Sequence, residues 1–164
     1  RTWPVSGTFN KAQRALYEIV LATHTECIKV AKVGVPYETI HNTAVEVLTE
    51  GLLSLGLLKG TLKKNIEADT YRRFYMHKTG HWLGLDVHDV GEYRLAGKSR
   101  QLEPGMVFTV EPGLYIAPGT SGVPEKYQGI GIRIEDDILM TRKGPENLSD
   151  GVPKTVAAIE ALLA

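Results

Sequence analysis

A single cysteine, Cys27, stands in 164 residues, which excludes an internal disulfide and suits a reducing, cytoplasmic compartment. It falls in a helical pattern, where a free thiol serves as a small buried hydrophobe and not as a nucleophile. No apolar run approaches the roughly 18 residues that a membrane span needs. The amino terminus also lacks the apolar core of a secretory signal. Neither sign of charge is in excess, with 19 Lys plus Arg against 19 Asp plus Glu. Nothing in that balance draws the chain to nucleic acid or to an anionic membrane. An initiator Met is missing as well. The chain opens Arg1-Thr2-Trp3-Pro4, and the expectation is a piece of a longer protein.

Internal repeats, low-complexity tracts and an obvious linker are likewise absent, so residues 1–164 are expected to form a single, truncated domain. The length suffices for a hydrophobic core. Asn10 can cap a helix starting near Lys11, with Leu16, Ile19, Val20, Cys27, Val30 and Ala31 on one face and Thr23 as a polar interruption. Gly34 and Pro36 end it. A second helix carries Ile40, Ala44, Val47, Leu48 and Leu52 on one stripe, and Thr61 can cap a short third. Beyond about residue 70 the pattern changes to short β-branched segments separated by Pro-Gly and Gly-Pro turns, such as Met106–Glu111 and Gly129–Glu135. A final short helix is expected near Thr155–Leu163. Helices followed by strands argue for an α+β fold.

The chemistry concentrates in the later part of the chain. In Gly129–Glu135, strand alternation puts Ile130, Ile132 and Ile134 on one face and Gly129, Gly131, Arg133 and Glu135 on the other. A solvated face rarely needs two glycines, so this one is expected to floor a site, the glycines clearing space for something to approach. In Met106–Glu111, Val107, Thr109 and Glu111 share a face, and Glu111 runs into Pro112-Gly113. Two strands thus each end in a glutamate. Two close carboxylates repel, and one takes up a proton unless a cation neutralises them. Three of the five histidines, His77, His81 and His88, lie within one glycine-interleaved segment, and imidazole can ligate a metal or carry a proton near neutral pH. His24 and His41 fall on the predicted helices, away from this segment, and are read as background.

Three segments carry a family resemblance: His81-Trp82-Leu83-Gly84-Leu85-Asp86-Val87-His88-Asp89; Glu103-Pro104-Gly105-Met106 leading to Val110-Glu111-Pro112-Gly113; and Gly131-Ile132-Arg133-Ile134-Glu135-Asp136-Asp137. In this order they closely resemble the bacterial Xaa-Pro aminopeptidases. The resemblance implies the pita-bread fold shared with creatinase, methionine aminopeptidase and prolidase, here incomplete, with helices on one side of a curved, mostly antiparallel sheet. It implies that His81, Glu111 and Glu135 are metal ligands. His88 would meet the substrate and help stabilise or protonate the reacting centre, His77 would line the substrate pocket, and Arg133 would partner the carboxylates. It also implies two divalent ions, typically Mn2+, that activate water for attack on the scissile carbonyl of a peptide with proline in second position. An oxygen-rich donor set with one imidazole suits manganese better than a soft-ligand metal.

The family's other two metal ligands are aspartates upstream of the segment matching Arg1. The chain alone is therefore expected to bind metal weakly and to have little peptidase activity. An incomplete domain also leaves apolar surface and sheet edges uncovered, so self-association, or binding to the missing part of the domain, is expected. Prolidase-type dipeptidase is the enzymatic alternative, although Trp82 and the short Val123–Tyr127 connection look more like the aminopeptidase. A non-catalytic pita-bread module that binds peptides or proteins is the other alternative. Such modules typically lose metal ligands, whereas His81, Glu111 and Glu135 are all present.

Overall fold

A computed structural model describes residues 1–163. Helix α1 (Lys11–Val30) begins where the sequence places it, because Asn10 closes a full capping box. Its Oδ1 accepts from Ala12 N and Gln13 N, and Gln13 Oε1 accepts from Asn10 N. Thr23, the polar interruption, is buried and satisfied, since its hydroxyl donates to Ile19 O at 2.7 Å. Helix α2 (Glu38–Ser54) packs along α1, and a Cβ on its Gly51 would come within 2.4 Å of Ile19. Its buried stripe is Ile40, Ala44, Val45, Leu48 and Leu52; Val47, expected in that stripe, is only half-buried. Helix α3 (Leu62–Glu67) is short and capped by Thr61, whose Oγ1 accepts from Lys64 N.

Seven strands follow, all paired antiparallel: β1 (Arg94–Leu95), β2 (Lys98–Ser99), β3 (Val107–Val110), β4 (Gly113–Ile116), β5 (Ile130–Arg133), β6 (Asp136–Thr141) and β7 (Gly144–Asn147). Helix α4 (Val156–Leu163) ends the described chain. The ladders are β1-β2, β3-β6-β7 and β4-β5. The last two belong to one bent surface. Val110 pairs with Asp136 and Gly113 with Arg133, so one register runs through the gap and sets Glu111 opposite Glu135. Pro112 lies in that gap; having no N–H, it cannot continue a ladder.

The helices lie on one side of this surface, with α1 packed against β3, β4 and β5. The predicted isoleucine face points into the core: Ile132 and Ile134 are buried beside Phe108, Ile138 and Met140, with Ile130 packed at the margin. Arg133 and Glu135 face the other way, so alternation correctly separates packing from chemistry on this strand.

Candidate metal centre

Glu111 and Glu135 both sit where the chain passes from one ladder to the other, and His81 arrives from the preceding loop. One ligand-type atom from each of His81, Glu111 and Glu135 lies within 4.8 Å of the others, and all three residues are partly buried. The segment carrying His81 is fastened alongside β3. Thr109 N donates to His81 O at 2.9 Å, Glu111 N to Thr79 O at 2.7 Å, and Leu83 N to Val107 O at 3.1 Å. This approach requires Gly80. A Cβ there would stand 1.9 Å from the carbonyl oxygen of Thr109. The glycines expected to clear space, Gly129 and Gly131, play a lesser part. Gly129 supplies a turn at φ +75°, and a Cβ on Gly131 would make only ordinary contact with Tyr115.

Hydrogen bonds set the chemical state of each group. His81 Nδ1 is 2.9 Å from Trp82 O, which makes Nδ1 the protonated nitrogen and leaves the Nε2 lone pair facing Glu111 Oε1 at 3.4 Å. Thr109 Oγ1 accepts from His81 N and donates to Glu111 Oε1, orienting imidazole and carboxylate together. Burial, and then the facing Glu111 charge, raise the Glu135 carboxyl above the ordinary carboxylate range, with Asp137 adding to the effect. Arg133 offsets part of it, with Nε 3.6 Å from Glu111 Oε2. Two facing carboxylates, a fixed imidazole lone pair and a cation-deficient balance of charge form a donor set that fits a divalent ion.

The other expected residues surround this cluster. The ring of His88 stands edge-on to that of His81, centroids 4.3 Å apart, on an exposed loop. That loop is closed at its base by Asp89 N donating to Trp82 O. His77 lies on the far side, where a residue missing from the sequence reading links it to Arg133. Tyr115 Oη is 2.8 Å from both Arg133 Nε and His77 Nε2, so the phenol accepts from the guanidinium and donates to the imidazole. Tyr115 shares the charged face of the surface by alternation, between buried Leu114 and Ile116, and that pattern could have revealed it.

His41 is not background. Its Nδ1 is 2.9 Å from Thr79 Oγ1, which also meets Tyr75 Oη, and the ring lines an open cavity of about 480 Å³ with Tyr37, Lys78, His81 and Tyr93. Neither Glu111 nor Glu135 lines that cavity, so it flanks the carboxylate pair without containing it. Burial, then Lys78, push the His41 imidazole down to about 4. His24 is elsewhere, buried against Asp136 on the core side.

Residues 1–142 match the model of metallopeptidase family M24. The Xaa-Pro aminopeptidase of Escherichia coli is 50% identical over 163 residues, 99% of this chain and 36% of that protein. The Xaa-Pro aminopeptidase of Haemophilus influenzae is 49% identical, with 99% and 37% covered. The solved structure of Pseudomonas aeruginosa aminopeptidase PepP superposes with a TM-score of 0.98 at 52% identity, covering 99% of this chain and 37% of that one. A zinc-substituted E. coli aminopeptidase P in complex with product gives 0.94 at 50% identity, with the same coverage. The chain therefore spans about a third of the length of these relatives and carries part of the pita-bread fold. It belongs to metallopeptidase family M24.

Proposed function

We propose that this chain is the carboxyl-terminal part of the catalytic domain of a metal-dependent Xaa-Pro aminopeptidase of the cytoplasm. In that reading it contributes to releasing the amino-terminal residue from peptides with proline in second position. The observation that carries the reading is the convergence of His81, Glu111 and Glu135 in one register-defined pocket of charge. The names of the similar enzymes and the zinc-substituted relative support it.

His81 Nε2 and the two carboxylates would hold divalent ions, Mn2+ by the hardness of the donors. Such ions supply Lewis acidity toward a peptide carbonyl and lower the pKa of water. The protein's own groups do the rest. His88, beside His81 on the open side, meets the substrate and donates a hydrogen bond or a proton at the reacting centre. His77, held by Tyr115 and by Lys78 O, lines the substrate pocket in a fixed tautomer. Arg133 balances the Glu111 charge and fixes the Tyr115 phenol. The chain by itself, with three ligands, binds metal weakly and has little activity.

The test is hydrolysis by the longer protein carrying this sequence, compared on Xaa-Pro-Xaa and Xaa-Ala-Xaa peptides and on Xaa-Pro dipeptides. Proline-dependent release from the longer peptides, lost in Glu135→Gln, is expected. Cleavage confined to dipeptides would favour the prolidase reading, and no cleavage at all the binding module.

A further inference from the structure

Glu135 lies in the break between β5 and β6, where regular pairing is interrupted, and its backbone is held from below by a group outside the metal centre. Arg1 Nη1 donates to the Glu135 carbonyl, and Arg1 Nη2 donates to the Asp136 carboxylate. The same guanidinium reaches the carbonyls of Pro153 and Val152 at 3.2 and 3.1 Å, and its side chain is only 6% exposed. Thr2, the next residue, grips the strand one step earlier. Its Oγ1 accepts from Arg133 N at 3.0 Å and donates to Arg133 O at 2.9 Å. Side chains of residues 1 and 2 thus supply along 133–135 the bonds that a neighbouring strand would ordinarily make.

Asp136 is the anchor of this clamp. Its side chain is fully buried, and besides Arg1 it accepts from Lys154 Nζ at 2.9 Å, Asn147 Nδ2 at 2.7 Å and Ser149 Oγ at 2.8 Å. A buried carboxylate persists only with such a complement of donors. His24 Nε2 stands 3.3 Å from the same carboxylate, without hydrogen-bond geometry. Successive side chains on a strand point to opposite faces. Asp136 therefore fastens the core side of the peptide whose preceding residue presents its carboxylate to His81 and Glu111.

We propose that Arg1 and Asp136 are positioning residues for the candidate metal centre: the Arg1 guanidinium, locked on Asp136, fixes the Glu135 peptide and so the place of the Glu135 carboxylate. This rests on the reading of Glu135 as a ligand. The guanidinium is suited to the task because its planar fork serves the carbonyl and the carboxylate at once, which an ammonium cannot do with the same geometry.

The test uses the longer protein carrying this sequence, with Arg1→Met and Arg1→Lys. Mn2+ affinity is measured by calorimetry at a temperature where circular dichroism shows each variant folded, and metal-free crystal structures are determined beside it. Arg1→Met is expected to weaken Mn2+ binding by about 10- to 100-fold, with Arg1→Lys intermediate. In the metal-free variants the Glu135 carboxylate is expected to move by about 1 Å or more from its place beside His81 and Glu111. A carboxylate that stays in place overturns the inference, whatever happens to stability. If Arg1→Met does not fold, Arg1→Lys decides by the same criteria. Failure of the unaltered protein to bind Mn2+ would contradict the metallopeptidase reading instead, and the metal-free structures would still decide the clamp.

Discussion

At the scale of single residues, the centre depends on one missing Cβ. Gly80 lets the His81 segment lie against β3, and any side chain there meets the Thr109 carbonyl at 1.9 Å. Backbone cannot yield as a flexible side chain can. Gly80→Ala is therefore expected to cost about 1–3 kcal/mol, read from urea unfolding midpoints, and to weaken metal binding by displacing His81. Full stability and full affinity would mean that the segment has another way to sit. The segments carrying charge and imidazole were legible in the sequence because their spacing is local: His77, His81 and His88 share one segment, and Glu111 and Glu135 each close a β-branched pattern, although the strands themselves stop short of them, at Val110 and Arg133. His41 was not, since what matters for it is a partner 38 residues away, and alternation offered Tyr115 only as a position on the charged face, its partner His77 lying equally far off.

At the scale of elements, Asn10, Thr61 and the strand alternation made the starts of α1 and α3 and the buried face of β5 readable. The pairing of the strands was not readable, because one register running through Pro112 is a property of two distant segments. The same holds for the join between α1 and β6. His24 of α1 is buried, and that burial lowers its imidazole to about 4, with the Asp136 charge opposing and Lys154 and Arg1 assisting. Its folded pKa thus lies below its unfolded value near 6.5, and the unfolded chain binds more protons between those limits. Stability is then fully present above about pH 6.5 and falls as pH drops toward 4. Urea titrations at pH 7 and pH 4.5 are expected to show this loss, with a smaller loss in His24→Gln. Equal slopes in the two proteins would remove His24 from the account. His41, lowered by burial in the same direction, adds a parallel contribution.

At the scale of the whole molecule, the described residues expose Leu85, Val87 and Val90 together on the loop beside His88. The paired ladders also end in open edges at β1, β2 and β7. Exposed apolar groups and unpaired edges favour association. Sedimentation of the 164-residue chain is expected to find dimers or larger species, and a monodisperse monomer across concentrations would contradict that. The chain covers about a third of the relatives it matches, so the same surface is also suited to the rest of a longer protein.

The central claim is that His81, Glu111 and Glu135 are part of a divided metal centre. Calorimetry with Mn2+ tests it most directly, on this chain and on a form extended upstream to include the two aspartates that the family resemblance implies. Tight binding in the extended form alone, abolished by Glu111→Gln or Glu135→Gln, is the result predicted. Equal, tight binding by both forms, or binding that survives those substitutions, would contradict the assignment of the ligands.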